Sequence, residues 1–266
     1  GNVFERSKNE FRCSGSQKVN EQKRNINALV IVDVQYDFID GTLALKNCPS
    51  QHQGEQVIPT INKLLNETHF DVVVYTQDWH THDHISFFDN LHLRAHLLAS
   101  DSKPINELNV FDTAVFIFND KNHAKNPRVE QILWPRHCVQ HTRGAEIHKD
   151  LQIVNSTKTR HVVNLLKGYE PDIDSYSAFW DNQKIRETML HSKLDEYQVN
   201  QVFIAGIATD VCVYFTALHS IEYGYRTYLI EDACRGVDES NINLRLDELL
   251  KRNCLVTQAA DVKNLL

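Results

Sequence analysis

A mostly parallel α/β sheet with helices on both faces is the fold class this sequence predicts, and three observations predict it. Short apolar, β-branched runs of strand length recur along the chain, and amphipathic stretches of helical spacing lie between them. The runs are apolar almost throughout rather than alternating, as in strands covered on both faces, and the β–α alternation supplies the crossovers that parallel pairing needs. The 266 residues, 42% hydrophobic and 24% charged, are enough for one globular domain with a sizeable core.

Residues 1–26 are rich in Lys, Glu, Asn, Ser and Gln without periodicity and are read as a flexible N-terminal segment, which places the domain at 27–266. Strands are predicted over 28–34, 71–77, 114–118, 161–166, 201–207 and 226–230, with helices over 57–67, 181–197, 210–223 and 241–252. Residues 88–127 fit the alternation poorly. With His92, His96, His123 and the turn formers of 119–126, that stretch reads as an insertion or a subunit-contact element. At 210–223, Val211, Phe215, Leu218 and Glu222 follow helical spacing, Gly224 stops the helix, and Thr209 or Asp210 is predicted to cap it.

The formal net charge is -7 and no Lys/Arg stripe interleaves with aromatics, which argues against nucleic acid as a partner. No apolar run approaches the ~20 residues of a membrane span, so no membrane partner is expected. The N-terminal residues carry no apolar signal-peptide core. The six cysteines (Cys13, Cys48, Cys138, Cys212, Cys234, Cys254) are irregularly spaced without a CxxC pair, which reads as free thiols in a cytoplasmic or nuclear protein. The sequons at Asn66 and Asn155 are chance matches in such a compartment.

In open parallel sheets, ligands bind beyond the carboxyl ends of strands, so the residues there are candidates. Asp33 ends the first run: an ionised carboxylate in an apolar strand needs a partner. It reads either as a carboxylate held by loop amides or as a general base raised by burial. The second run leads to Asp78-Trp79-His80, an Asp-x-His that puts two ligand types on one side of an extended segment, or a polar loop rich in His by accident. His82 and His84 add ambiguity. His137 follows Trp134-Pro135-Arg136 and would serve as a third ligand or a structural His; Cys138 beside it reads as packing. Lys167 closes the 161–166 run, either as a solvated edge residue or as the partner of a buried carboxylate and thiol. Cys212 sits in the first turn of the helix after 201–207, where the helix dipole favours thiolate, although an isolated cysteine is more often inert core.

Taken in order, Asp33-Val34-Gln35-Tyr36-Asp37-Phe38, Gln77-Asp78-Trp79-His80, Trp134-Pro135-Arg136-His137-Cys138-Val139, Lys167-Gly168 with Asp174-Ser175-Tyr176-Ser177-Ala178-Phe179, and Gly206-Ile207-Ala208-Thr209-Asp210-Val211-Cys212 resemble the isochorismatase-like cysteine hydrolases, and among them the nicotinamidases. The resemblance implies their Rossmann-like three-layer sandwich and hydrolysis of nicotinamide to nicotinate and ammonia, a step of NAD salvage. It implies Cys212 as nucleophile, Asp33 as base and Lys167 completing the triad. It further implies a cis Ile207–Ala208 bond and an oxyanion hole from the amides of Ala208 and Cys212. Phe38, Trp134, Ile207 and Ala208 would contact the substrate. Asp78, His80 and His137 would hold a divalent metal, zinc, or else iron or manganese, that meets the pyridine nitrogen. Pyrazinamide is implied as a side substrate, and a homo-oligomer is compatible. His84 and Ser86 are expected behind the ligands or against water. The sequence departs from some relatives at Val211, where they carry His, at Thr81, where Pro is frequent, and in the longer 88–127 stretch.

Three other readings compete: an amidase on another small carboxamide, a hydrolase in which metal-bound water attacks and Cys212 is core, and a catalytically silent ligand-binding module on the same fold.

Overall fold

The computed structural model describes residues 24–123 and 126–266, so the N-terminal segment read over 1–26 lies almost wholly outside the described residues, as does Cys13. In chain order the elements are β1 (Asn27–Val32), α1 (Tyr36–Ile39), α2 (Val57–Glu67), β2 (Val72–Asp78), β3 (Thr113–Ile117), β4 (Arg128–Ile132), β5 (His161–Lys167), α3 (Leu190–Glu196), β6 (Gln201–Ile207), α4 (Tyr214–Glu222), β7 (Arg226–Arg235), α5 (Glu239–Lys251) and β8 (Leu255–Thr257).

Six strands form one sheet in the order β5-β2-β1-β6-β7-β8, and every neighbouring pair is parallel. Side chains alternate between its faces, and both faces are covered. Leu29, Ile31, Val73, Tyr75, Phe203 and Ala205 point to the layer holding α2, whose Val57, Ile61, Leu64 and Leu65 recur at helical spacing. Val30, Val32, Val72, Val74, Val202 and Ile204 point to the other layer, against Leu190 and Leu194 of α3, Ala217 of α4 and Leu249 of α5. Each such fully buried aliphatic side chain is worth about 1.5–3 kcal/mol. Ile61 is 0% exposed, and truncating it to Ala would cost about 2–5 kcal/mol through the cavity left under α2.

The strand order reverses between β1 and β6, which creates a crevice at their carboxyl ends. Gly206 lets those strands close there: at φ +124°, a Cβ would lie 2.1 Å from the Val32 carbonyl oxygen.

Several elements differ from the sequence expectation. The helix predicted over 181–197 is confined to Leu190–Glu196, because the Asp181 carboxylate accepts the amides of Gln183, Ile185 and Arg186 and folds 181–186 into a turn. The strand predicted over 114–118 stands outside the main sheet: it pairs antiparallel with β4, which was not foreseen, as β8 was not. With the turns around it, this hairpin gives the inserted stretch a small core of its own, Ile85, Leu91, Leu108, Phe116, Phe118, Val129 and Leu133. The helix predicted over 210–223 opens with a π turn, Thr209–Val213, before α4. Neither Thr209 nor Asp210 caps it; Asp210 instead accepts the amides of Val237 and Asp238 and ties down the loop before α5.

Candidate active site

Four adjacent strands deliver the candidate groups to one crevice. β1 ends at Val32, and Asp33 turns out of it with φ +49°. Its amide donates to the Thr76 hydroxyl (3.2 Å), and that hydroxyl donates to Asp33 Oδ1 (2.6 Å), so the carboxylate is pinned to β2. Asp78 and Lys167 end β2 and β5 side by side in register. The Lys167 ammonium lies 2.9 Å from Asp33 Oδ2 and 2.6 Å from Asp78 Oδ1. It also donates to the Ser175 carbonyl (2.9 Å) and to Cys212 Sγ (3.4 Å). Cys212 arrives from the turn after β6. The Ile207–Ala208 bond is cis.

All four groups are buried, and their mutual fields set their protonation. Burial works to discharge Lys167, but the Asp33 and Asp78 carboxylates outweigh it and hold the ammonium well above its ordinary value. Burial raises Asp33, Lys167 pulls it back, and it settles at about 6. Burial also opposes charge on Asp78, yet Lys167 and then His80 hold it below the usual carboxylate range. Burial pushes the Cys212 thiol well up, Lys167 pulls it down, and Asp33 and Asp78 raise it again. The thiolate expected from the helix dipole is therefore corrected to a resting thiol: desolvation and two carboxylates outweigh the partial charge of one helix end. A protonated thiol beside a buried carboxylate raised to about 6 is an arrangement able to act as nucleophile and base.

In front of these groups a cavity opens. Phe38, Trp134, Ala208 and Cys212 line it, together with Leu43, Leu45, Asp174, Tyr176, Val211 and Val237. Ile207 does not reach it; its side chain is fully buried in the core on the α2 side. Leu43, Leu45 and Val237 escaped sequence reasoning because nothing local marks an apolar loop residue as cavity wall. Asp174 and Tyr176 lay inside a recognised motif and could have been named from it.

Asp78, His80 and His137 also line the cavity, with one potential ligand atom from each lying within 4.8 Å of the others. Asp78 Oδ2 is 3.5 Å from His80 Nε2 and 3.9 Å from His137 Nε2. His80 Nδ1 bonds to the Gly168 carbonyl and His137 Nδ1 to the Pro135 carbonyl, both at 2.7 Å. Each bond places a proton on Nδ1, so that in the neutral ring Nε2 carries the lone pair a metal ligand needs; without a cation, the effect of burial is opposed by the Asp78 carboxylate, which raises His80 above its ordinary value. Gly168 makes the first of those bonds feasible, since a Cβ there would sit 2.6 Å from the His80 ring. Burial drops His137 to about 4, with His80 adding to the drop, which keeps its ring neutral. This buried donor set fits a divalent cation. His84 stacks on His80 with centroids 4.1 Å apart and shares a hydrogen bond with Ser86 through Nδ1, while its buried Nε2 has no partner among the described residues. Cys138 donates its amide to Asp37 Oδ2 (2.7 Å), and its buried thiol is raised well above the ordinary value. Among the described residues, no helix is long and apolar enough to cross a membrane.

Comparison with known proteins gives a consistent result. The profile of the isochorismatase domain family matches residues 27–261. A nicotinamidase of Acinetobacter baylyi is 39% identical over 212 residues, covering 79% of this chain and 82% of its own length. The structure resembles the yeast nicotinamidase bound to the inhibitor nicotinaldehyde, with a TM-score of 0.70 and 29% identity over 87% of this chain and 99% of that one. It also resembles a pyrazinamidase of Pyrococcus horikoshii in complex with zinc, with a TM-score of 0.59 and 28% identity over 88% of this chain and 99% of the other.

Proposed function

The chain belongs to the isochorismatase family and hydrolyses nicotinamide to nicotinate and ammonia, and we propose that Cys212, Asp33 and Lys167 carry the reaction through a thioester. The observation that carries this reading is a single buried ammonium, Lys167, touching the thiol and two carboxylates at the mouth of the β1/β6 crevice. Residues 27–266 would form the catalytic domain.

Asp33 takes the Cys212 proton as sulfur bonds to the carboxamide carbon. The carbonyl oxygen then carries the negative charge, and the amides of Ala208 and Cys212 would stabilise it; one such donor is typically worth ~3 kcal/mol. Asp33 returns the proton to the amide nitrogen, the C–N bond breaks, and ammonia leaves. Asp33 next deprotonates a water that attacks the thioester, and the departing sulfur recovers the proton. Lys167 remains charged throughout and keeps Asp33 from becoming too poor an acid. Phe38 and Trp134 form an apolar slot for the ring, with Ala208 beside the reacting carbon.

Asp78, His80 and His137 would hold zinc, with iron or manganese as alternatives, and the bound cation would supply a Lewis-acid contact for the pyridine nitrogen. Pyrazinamide presents the same ring nitrogen and carboxamide and should be a second substrate.

The test is ammonia release from nicotinamide by the wild type and by Cys212→Ala, each assayed for bound metal. Turnover by the wild type and none by a metal-replete variant supports the thiol mechanism. Turnover that survives in Cys212→Ala would shift the attack to water.

A further inference from the structure

The motif that contributes Asp33 also contains Gln35, whose side chain is fully buried and has no part in the chemistry above. Its position follows from the way β1 ends. The β1/β2 ladder runs from Ala28↔Val72 to Ile31↔Tyr75, and the chain then turns away at Asp33. β2 continues to Asp78, still paired with β5 on its other edge. Where β1 has left, a buried N–H and C=O of Asp78 would face no backbone partner. Gln35 supplies both: its Oε1 accepts the Asp78 amide at 2.8 Å, and its Nε2 donates to the Asp78 carbonyl at 2.8 Å. The same Nε2 donates to the Ala145 carbonyl (2.8 Å). Gln35 is itself fixed by an antiparallel bridge to Ile147 and by its backbone N–H, which donates a hydrogen bond to the Asp33 carbonyl (2.9 Å).

We infer that Gln35 is a positioning residue for Asp78, acting as a side-chain substitute for the missing strand. Asp78 must present its two oxygens in different directions, Oδ1 to Lys167 and Oδ2 to His80 and His137. A carboxylate on a short side chain can do this only if its own backbone is immobile. The Gln35 amide fixes that backbone on the side where β1 has ended.

The inference rests on Asp78 being a metal ligand, which is checked separately by Zn²⁺ binding to the wild type and its loss in Asp78→Ala. Gln77→Met is the matched control, because Gln77 also donates to the Ala145 carbonyl (2.8 Å) but does not hold the Asp78 peptide. Zn²⁺ affinity is measured on the full chain by competition with a chromophoric chelator, with thermal midpoints recorded for each variant. Gln35→Met should weaken Zn²⁺ binding 10–100-fold, the range for residues that orient metal ligands. Gln77→Met should leave it within twofold. Equal losses in the two variants, or wild-type affinity in Gln35→Met, would overturn the assignment. If Gln35→Met does not fold, the isosteric Gln35→Glu, which keeps the acceptor and loses the amide donor, replaces it under the same criteria. Failure of the wild type to bind Zn²⁺ would overturn the metal-site reading and this inference with it.

Discussion

Lys167→Met removes the one positive charge that lies between Asp33 and Asp78 and leaves a side chain of similar length. At 2.9 and 2.6 Å, with an effective dielectric of about 20, each attraction is roughly 6 kcal/mol before desolvation is counted. Desolvation of three buried ions offsets most of that sum, and breaking such a group by deleting one partner typically costs about 3–5 kcal/mol. For a chain of this size that lowers the thermal midpoint by about 6–20 °C. The loss should depend on pH. Asp33 is raised from 3.8 to about 6 in the folded chain, so its contribution to stability is present below 3.8 and is lost as pH rises through about 6. Without Lys167 its carboxyl rises further, and the loss extends to higher pH. The gap between wild type and variant should therefore be larger at pH 8 than at pH 5. Differential scanning fluorimetry at both pH values, with ammonia release as a second readout, measures this. A gap under 2 °C, or one that does not change between the two pH values, would refute the electrostatic account of the cluster.

With Asp33 as the proposed base, which must be ionised to accept a proton, kcat/KM for nicotinamide should climb about tenfold per pH unit below about 6 and level off above it. Asp33→Asn should retain no more than about a hundredth of the activity at any pH, and a wild-type profile flat down to pH 4.5 would exclude Asp33 as the base. Gly144→Ala would place a Cβ 2.0 Å from Asp37 Oδ2, the oxygen that accepts the Cys138 amide next to His137. It should cost about 1–3 kcal/mol by overpacking and release bound metal, readable by denaturation and elemental analysis. Chelator treatment should abolish turnover and lower the thermal midpoint, since the cation binds only the folded chain, with recovery on adding Zn²⁺; unchanged turnover by verified metal-free protein would remove the cation from the reaction.

Asp33, Lys167 and Cys212 were legible because polar, reactive groups at the ends of apolar runs stand out against what those runs are for. The parallel sheet was legible for the same reason, its strands being apolar on both faces. The cavity wall was not, since Leu43, Leu45 and Val237 come from loops whose course is set by distant contacts such as Asp210 with the Val237 amide. Periodicity over 181–197 suggested a helix that Asp181 prevents by capturing amides. Gln35 was passed over because its partner is a backbone 43 residues away, exposed only by the way β1 ends.

The pairing of β1 with β6 joins Asn27–Val32 to residues some 170 positions later in the chain, from Gln201 to Gly206. Long-range parallel closures of this kind are intrinsically slow. In the unfolded chain Cys212 is an ordinary solvent-facing cysteine, as open to oxidation or mixed-disulfide formation as any other. Folding buries it, raises its pKa and admits only what fits between Phe38 and Trp134. Recovery of ammonia release during refolding would then report assembly of a site that needs this pairing, and a refolding yield sensitive to oxidants should become insensitive once Cys212 is buried.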